Sequence, residues 1–138
     1  MDVTRFLAVA HQTADAREFL DAIRAAAERE AATEFVVLVP ATPVRHLATW
    51  TQGESRAVAA ERASTTRRRL EDLGVRVVDA RVGDADPYQA IIDAVATDQF
   101  DHVIVSTFAP GISRWLGADL INRLQRSIGV PVTHVIAH

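Results

Sequence analysis

The sequence predicts an α/β fold, a three-layer sandwich in which helices cover both faces of a five-stranded parallel sheet. Three observations lead there. Short, almost continuous apolar runs alternate with helix-length amphipathic segments, the signature of βα units. Parallel strands joined by right-handed crossovers place helices on both faces of the sheet. The length of 138 residues gives one domain, residues 1–138, able to bury roughly two-thirds of the surface its unfolded chain exposes.

Each element has a local cause. Thr4 to Ala10 (TRFLAVA) is a short apolar run suited to a buried parallel strand. Thr13 is positioned to cap the next helix, whose inner face holds Phe19, Ile23, Ala26 and Ala27. Glu34 to Val39 (EFVVLV) is a second buried strand, stopped by Pro40. A loop with two prolines follows, and Glu54 to Leu73 reads as a helix ended by Gly74. Its apolar face is thin (Val58, Leu70, Leu73), and Arg67, Arg68 and Arg69 near its end suit the helix dipole and solvent. Val75 to Val82 alternates in part, as an edge strand does. Asp86 caps and Pro87 opens the third helix, with Ile91, Ile92 and Val95 facing in. Val103 to Val105 is the heart of the fourth strand. The last helix carries Leu116, Leu120, Leu124 and Ile128, stops at Gly129, and leads into the final strand, Val132 to Ala137.

Composition removes several functional classes. A formal charge of −3 is too small to steer a particular partner, and no basic stripe interleaves with aromatics, so nucleic acid is not an expected partner. All 15 basic residues are arginines. The absence of cysteine excludes disulfides, thiolate metal sites and a cysteine nucleophile. No run approaches a membrane span, and the apolar run at Phe6 to Ala10 is too short for a secretory leader, so the expected address is cytoplasmic.

The richest stretch is Asp101 to Leu120, DHVIVSTFAPGISRWLGADL. A strand runs into a loop with Ser106, Thr107, Pro110, Gly111, Ser113 and Arg114, and a helix follows. Such a junction is a phosphate-binding position in open α/β sheets, because helix N–H groups point into it. Here glycine is scarce and Asp119 brings negative charge near the helix start.

With its five βα-type units and the ending DHVIVS, TFAPGISRWLGA, DLINRLQRSIG, VPVTHVIA, the chain resembles the universal stress protein family. The opening AVAHQTADAREFLDAI falls where that family has its first strand, nucleotide loop and helix. The resemblance implies an adenine nucleotide alpha hydrolase-like fold with strand order 3-2-1-4-5. It also implies a small anionic ligand, ATP or AMP in the family, at the switch point between strands one and four. The residues placed there are His11, Gln12, Thr13, Val39, Pro40, Ser106, Thr107, Gly111, Ser113 and Arg114.

ATP-binding members carry Gly-x-x-Gly, nine residues, then Gly-Ser or Gly-Thr, so that backbone and hydroxyl cradle the phosphates. In this chain Ala118-Asp119 stands where that pair belongs, and Gly111 alone remains within the loop. His11 and Gln12 occupy the neighbourhood of the family's first-loop Asp. These departures predict weak or absent ATP binding.

The remaining constellations have plain readings. No histidine pairs with another histidine or a carboxylate at a metal-motif spacing. His102 and His134 read as structural or surface residues; for His11, ligand contact and loop packing both stand open. No Gly-x-Ser-x-Gly elbow supports a hydrolase. Arg114 has two readings, an anion contact or an ion pair with Asp119. Trp50 and Trp115 read as core or interface residues, with a base-stacking wall as the alternative for Trp50. The final strand lacks Lys and Pro and leaves an edge open to pairing. The resemblance implies a homodimer through Val132 to Ala137. The sequence thus favours a binding or regulatory module over catalysis, the alternatives being a slow nucleotide hydrolase and a structural dimer with a vestigial site.

Overall fold

Period-two alternation within the apolar runs sends successive side chains to opposite faces of a sheet, so each buried strand feeds two cores. A computed structural model of the chain describes residues 3–42, 52–108 and 118–138. The strands are β1 (Thr4–Val9), β2 (Thr33–Pro40), β3 (Val77–Gly83), β4 (His102–Phe108) and β5 (Val132–Ala137). Between them run α1 (Arg17–Arg29), α2 (Gln52–Asp72), α3 (Pro87–Thr97) and α4 (Ala118–Ser127). All strand pairs are parallel, in the order β3-β2-β1-β4-β5. The predicted fold class and strand order are therefore those of the molecule.

The two cores divide as the alternation requires. Phe6, Ala8, Phe35, Val37 and Val39 pack under α1 and α2, while Leu7, Val9, Val36, Leu38, Val103 and Val105 pack under α3 and α4. Phe6 and Phe35 are register partners, and their rings stack at 4.7 Å between centroids. On the other face Ile91, Leu120, Ile121 and Leu124 supply the helix side of the core.

α2 departs from expectation. Leu70 is buried as expected, but its companions on the buried side are Ser55, Ala59, Ala63 and Thr66, while Val58 is half-buried and Leu73 is 40% exposed. A stripe of small side chains lets this helix lie close over β2 and β3, so a hydrophobic count underrates its burial. Arg68 and Arg69 are exposed as expected, whereas Arg67 is half-buried and donates to the Val77 carbonyl at 3.2 Å. Gly74, at φ 85°, ends the chain's helical path in the left-handed region that glycine adopts freely.

α3 begins as predicted: Asp86 accepts the Tyr88 N–H at 3.0 Å and Pro87 occupies the first turn. Its buried face is Pro87, Ala90, Ile91 and Ala94, with Ile92 and Val95 only half-buried. Gly83 is required by packing here, since an added Cβ would lie 2.8 Å from the Ala90 Cβ. Among the described residues, no helix is long and apolar enough to cross a membrane.

Candidate functional site

The strand order reverses between β1 and β4, so the crevice beyond their carboxyl ends is the natural ligand position. β1 delivers Ala10 to Asp15 to this crevice, β2 delivers Val39 to Thr42, and β4 delivers Ser106 and Thr107. Gly111, Ser113 and Arg114, together with Trp50 and Trp115, lie outside the described residues.

The chain's own polar groups meet one another across the crevice. Thr13 does not cap α1, which starts at Arg17 behind Ala16 with no side-chain cap. Its hydroxyl instead donates to Ser106 Oγ at 2.8 Å, joining residues 93 positions apart. Two turn hydrogen bonds, Ala14 N–H to the His11 carbonyl and Ala16 N–H to the Thr13 carbonyl, fold the loop so that Thr13 reaches inward. Thr13 is 3% exposed, Ser106 and Thr107 are each 1%, and Val39 and Pro40 are buried. Thr107 donates to the Phe108 carbonyl, and its oxygen lies 2.7 Å from His134 Nε2 on β5. Beside Ser106, among the described residues, is a void of about 10 Å³ lined by Val9, Ala10, His11, Pro40, Pro87, Val105, Ser106 and Leu120. That is room for at most one water.

His11 forms the wall between this void and an open cleft. The cleft holds about 350 Å³ and is lined by His11, Gln12, Ala14, Asp15, Val58, Glu61, Arg62, Thr65 and Thr66. Thr66 donates to the Ala14 carbonyl at 2.9 Å, which fixes α2 against the loop after β1. Arg62 Nη1 lies 2.8 Å from His11 Nδ1. A guanidinium only donates, so Nδ1 must accept and the ring proton sits on Nε2. Burial of the ring and then the Arg62 charge lower its pKa from 6.5 to about 4, against a smaller opposing pull from the Thr42 backbone. His11 is therefore neutral at physiological pH, and its buried Nε2–H has no well-formed hydrogen bond among the described residues, only a weak approach to the Thr42 backbone.

Of the sequence-predicted residues that are described, the structure brings His11, Thr13, Val39, Pro40, Ser106 and Thr107 together in buried positions; Gln12 is exposed at the cleft. Sequence reasoning passed over Arg62, Glu61, Thr65 and Thr66. Their local signal is that of a solvated helix, and only the fold places them against His11. Among the described residues no group of three or more His, Cys, Asp or Glu side chains could hold a metal ion. Asp119 is exposed in the first turn of α4, where its charge suits the helix dipole and opposes a phosphate.

No protein-family profile and no curated protein matches the chain. Solved structures do. The protein MJ0577 matches at 17% identity and TM-score 0.66, over 98% of this chain and 96% of that one. A universal stress protein family protein from Arabidopsis thaliana, At3g01520, solved with AMP bound, matches at 12% identity and TM-score 0.63, over 98% and 92%. The universal stress protein from Archaeoglobus fulgidus matches at 12% identity and TM-score 0.59, over 98% and 99%. At these identities the likeness is one of fold, and it extends over nearly the whole chain.

Proposed function

We propose that this chain is a cytoplasmic universal stress protein-like module, a homodimer that acts through binding rather than catalysis and takes adenine nucleotide weakly or not at all. The observation that carries this reading is the buried Thr13–Ser106 hydrogen bond, 2.8 Å long, at the switch point of the sheet. The Thr13 proton is already spent on Ser106, and among the described residues the void beside Ser106 is about 10 Å³. A nucleotide entering here must break a buried hydrogen bond and face Asp119 at the start of α4. Both terms work against binding. The likeness to an AMP-bound universal stress protein supports the crevice as the position for a small anionic ligand, with Gly111, Ser113 and Arg114 as candidates from the sequence.

The edge strand supports the dimer reading. β5 pairs with β4 alone among the described strands, and Ile136 is 36% exposed along it. An apolar edge of this kind is a template for a second copy. The test combines acid release of ligand from freshly purified protein, calorimetric titration with ATP and AMP, and light scattering at micromolar concentration. A dimer with no stoichiometric nucleotide and no more than weak titration heats is expected. Near-stoichiometric adenine nucleotide would overturn the ligand reading, and a monomer would overturn the interface.

A further inference from the structure

The cleft between the loop after β1 and α2 adjoins the switch-point crevice and shares His11 and Gln12 with it, but its charged groups, Asp15, Glu61 and Arg62, are not among the residues of the nucleotide reading above. Its chemistry is uneven from floor to rim. Arg62 is half-buried, while Asp15 and Glu61 are exposed. One guanidinium N–H is committed to His11 Nδ1. A guanidinium has five N–H donors in a fixed fork, so most of the fork is left for another acceptor. Among the described residues Arg62 forms no ion pair with a carboxylate. His11 orients Arg62 and, being neutral at physiological pH, adds no second positive charge.

We infer that this cleft is a binding site for a small zwitterion, a molecule of the α-amino acid class, with its carboxylate on Arg62 and its ammonium between Asp15 and Glu61. Three features select that class. The Arg62 fork matches a carboxylate in a bidentate, charge-assisted pair. Two carboxylates against one guanidinium leave the lining with excess negative charge, which disfavours a phosphate ester and favours a ligand that also carries a cation. Val58 and Ala14 supply an apolar wall, and Gln12 and Thr65 offer neutral hydrogen-bonding groups. The volume of about 350 Å³ lies at the lower end of small-molecule sites, in keeping with a metabolite rather than a macromolecule.

The experiment is titration of the full chain, labelled with ¹⁵N, with individual α-amino acids, alongside acetate, methylammonium and inorganic phosphate. At least one amino acid is expected to move the amide signals of His11 to Asp15 and Val58 to Thr66, with acetate, methylammonium and phosphate far weaker. Arg62→Gln should weaken that ligand by roughly tenfold or more, and Arg62→Lys by less, because Lys keeps the charge and loses the fork. Glu61→Gln, at an exposed position that leaves the fold intact, should narrow the gap between the amino acid and its deaminated analogue. Acetate or phosphate binding as well as the amino acids would overturn the inference. So would signal changes confined to Ser106 to Phe108, or no change in the cleft with any amino acid.

Discussion

The crevice at the switch point and the cleft beside α2 share one wall, His11, yet they handle polar groups in opposite ways. In the crevice, the Thr13 hydroxyl spends its proton on Ser106 Oγ, and the void beside Ser106 is about 10 Å³ among the described residues. In the cleft, Arg62 spends one donor on His11 and the remaining space is about 350 Å³. A buried hydrogen bond already made resists a ligand, because the ligand must replace what it breaks; a guanidinium with unspent donors beside open space invites one. Among the described residues, therefore, the cleft offers more open space and more unspent donors than the crevice.

His11 is where the comparison breaks with the largest effect. The ring is held at a pKa of about 4 in the folded chain against 6.5 when unfolded. Between those values the unfolded chain binds a proton that the folded one refuses. The His11 contribution is thus full above about pH 6.5, falls as pH drops through the window, and is spent below about 4. Each pH unit inside the window costs up to about 1.4 kcal/mol, so going from pH 7 to 5 should remove about 1–2 kcal/mol once screening by solvent in the cleft is allowed for. His102 and His134, both lowered chiefly by burial, add to the fall in the same direction. Urea unfolding at pH 7 and at pH 5 measures it, and His11→Gln should recover most of the difference. An unchanged pH dependence in that variant would mean His11 is not the group refusing the proton.

A smaller effect tests the crevice alone. Thr13→Val preserves shape and removes the donor, leaving Ser106 Oγ buried without it; the expected cost is about 1 kcal/mol. Ser106→Ala strips the other side, and the double variant should cost less than the two singles added, by about 0.5–1 kcal/mol. Strict additivity in denaturant midpoints would show that the two hydroxyls do not depend on each other. If the crevice is kept shut by this pair, the double variant should also bind AMP more tightly than the wild type.

Local patterns made the sheet readable and left the site less so. Apolar runs announced the strands, and Asp86-Pro87 announced the start of α3, because each acts within a few residues. The buried face of α2 escaped because Ser55, Ala59, Ala63 and Thr66 carry almost no hydrophobic signal. Local sequence points Thr13 to a helix cap, the commonest local use of such a residue, but its partner lies 93 positions away. Arg62 meets His11 across 51 positions, and nothing near either residue announces the pairing. Contacts that close or open a site are long-range, and a sequence shows them only after the topology is fixed.

Arg62 gives the smallest expected change in stability and the sharpest contrast with Thr13. Its guanidinium is only half-buried, and removing it leaves His11 Nδ1 a lone pair that water in the cleft can reach. Arg62→Gln should therefore change folding stability by about 0.5 kcal/mol or less, near the range of exposed polar pairs. It should also remove the nearby charge that helps hold the ring neutral, so the His11 pKa should rise from about 4 and the acid loss should begin over a narrower window. Titration of the His11 ring signals by NMR in both proteins measures that rise. A pKa left unchanged would assign the shift to burial alone and reduce Arg62 to a group that faces the cleft. A rise with little loss of stability would establish that the cleft's cation is held there for something other than folding.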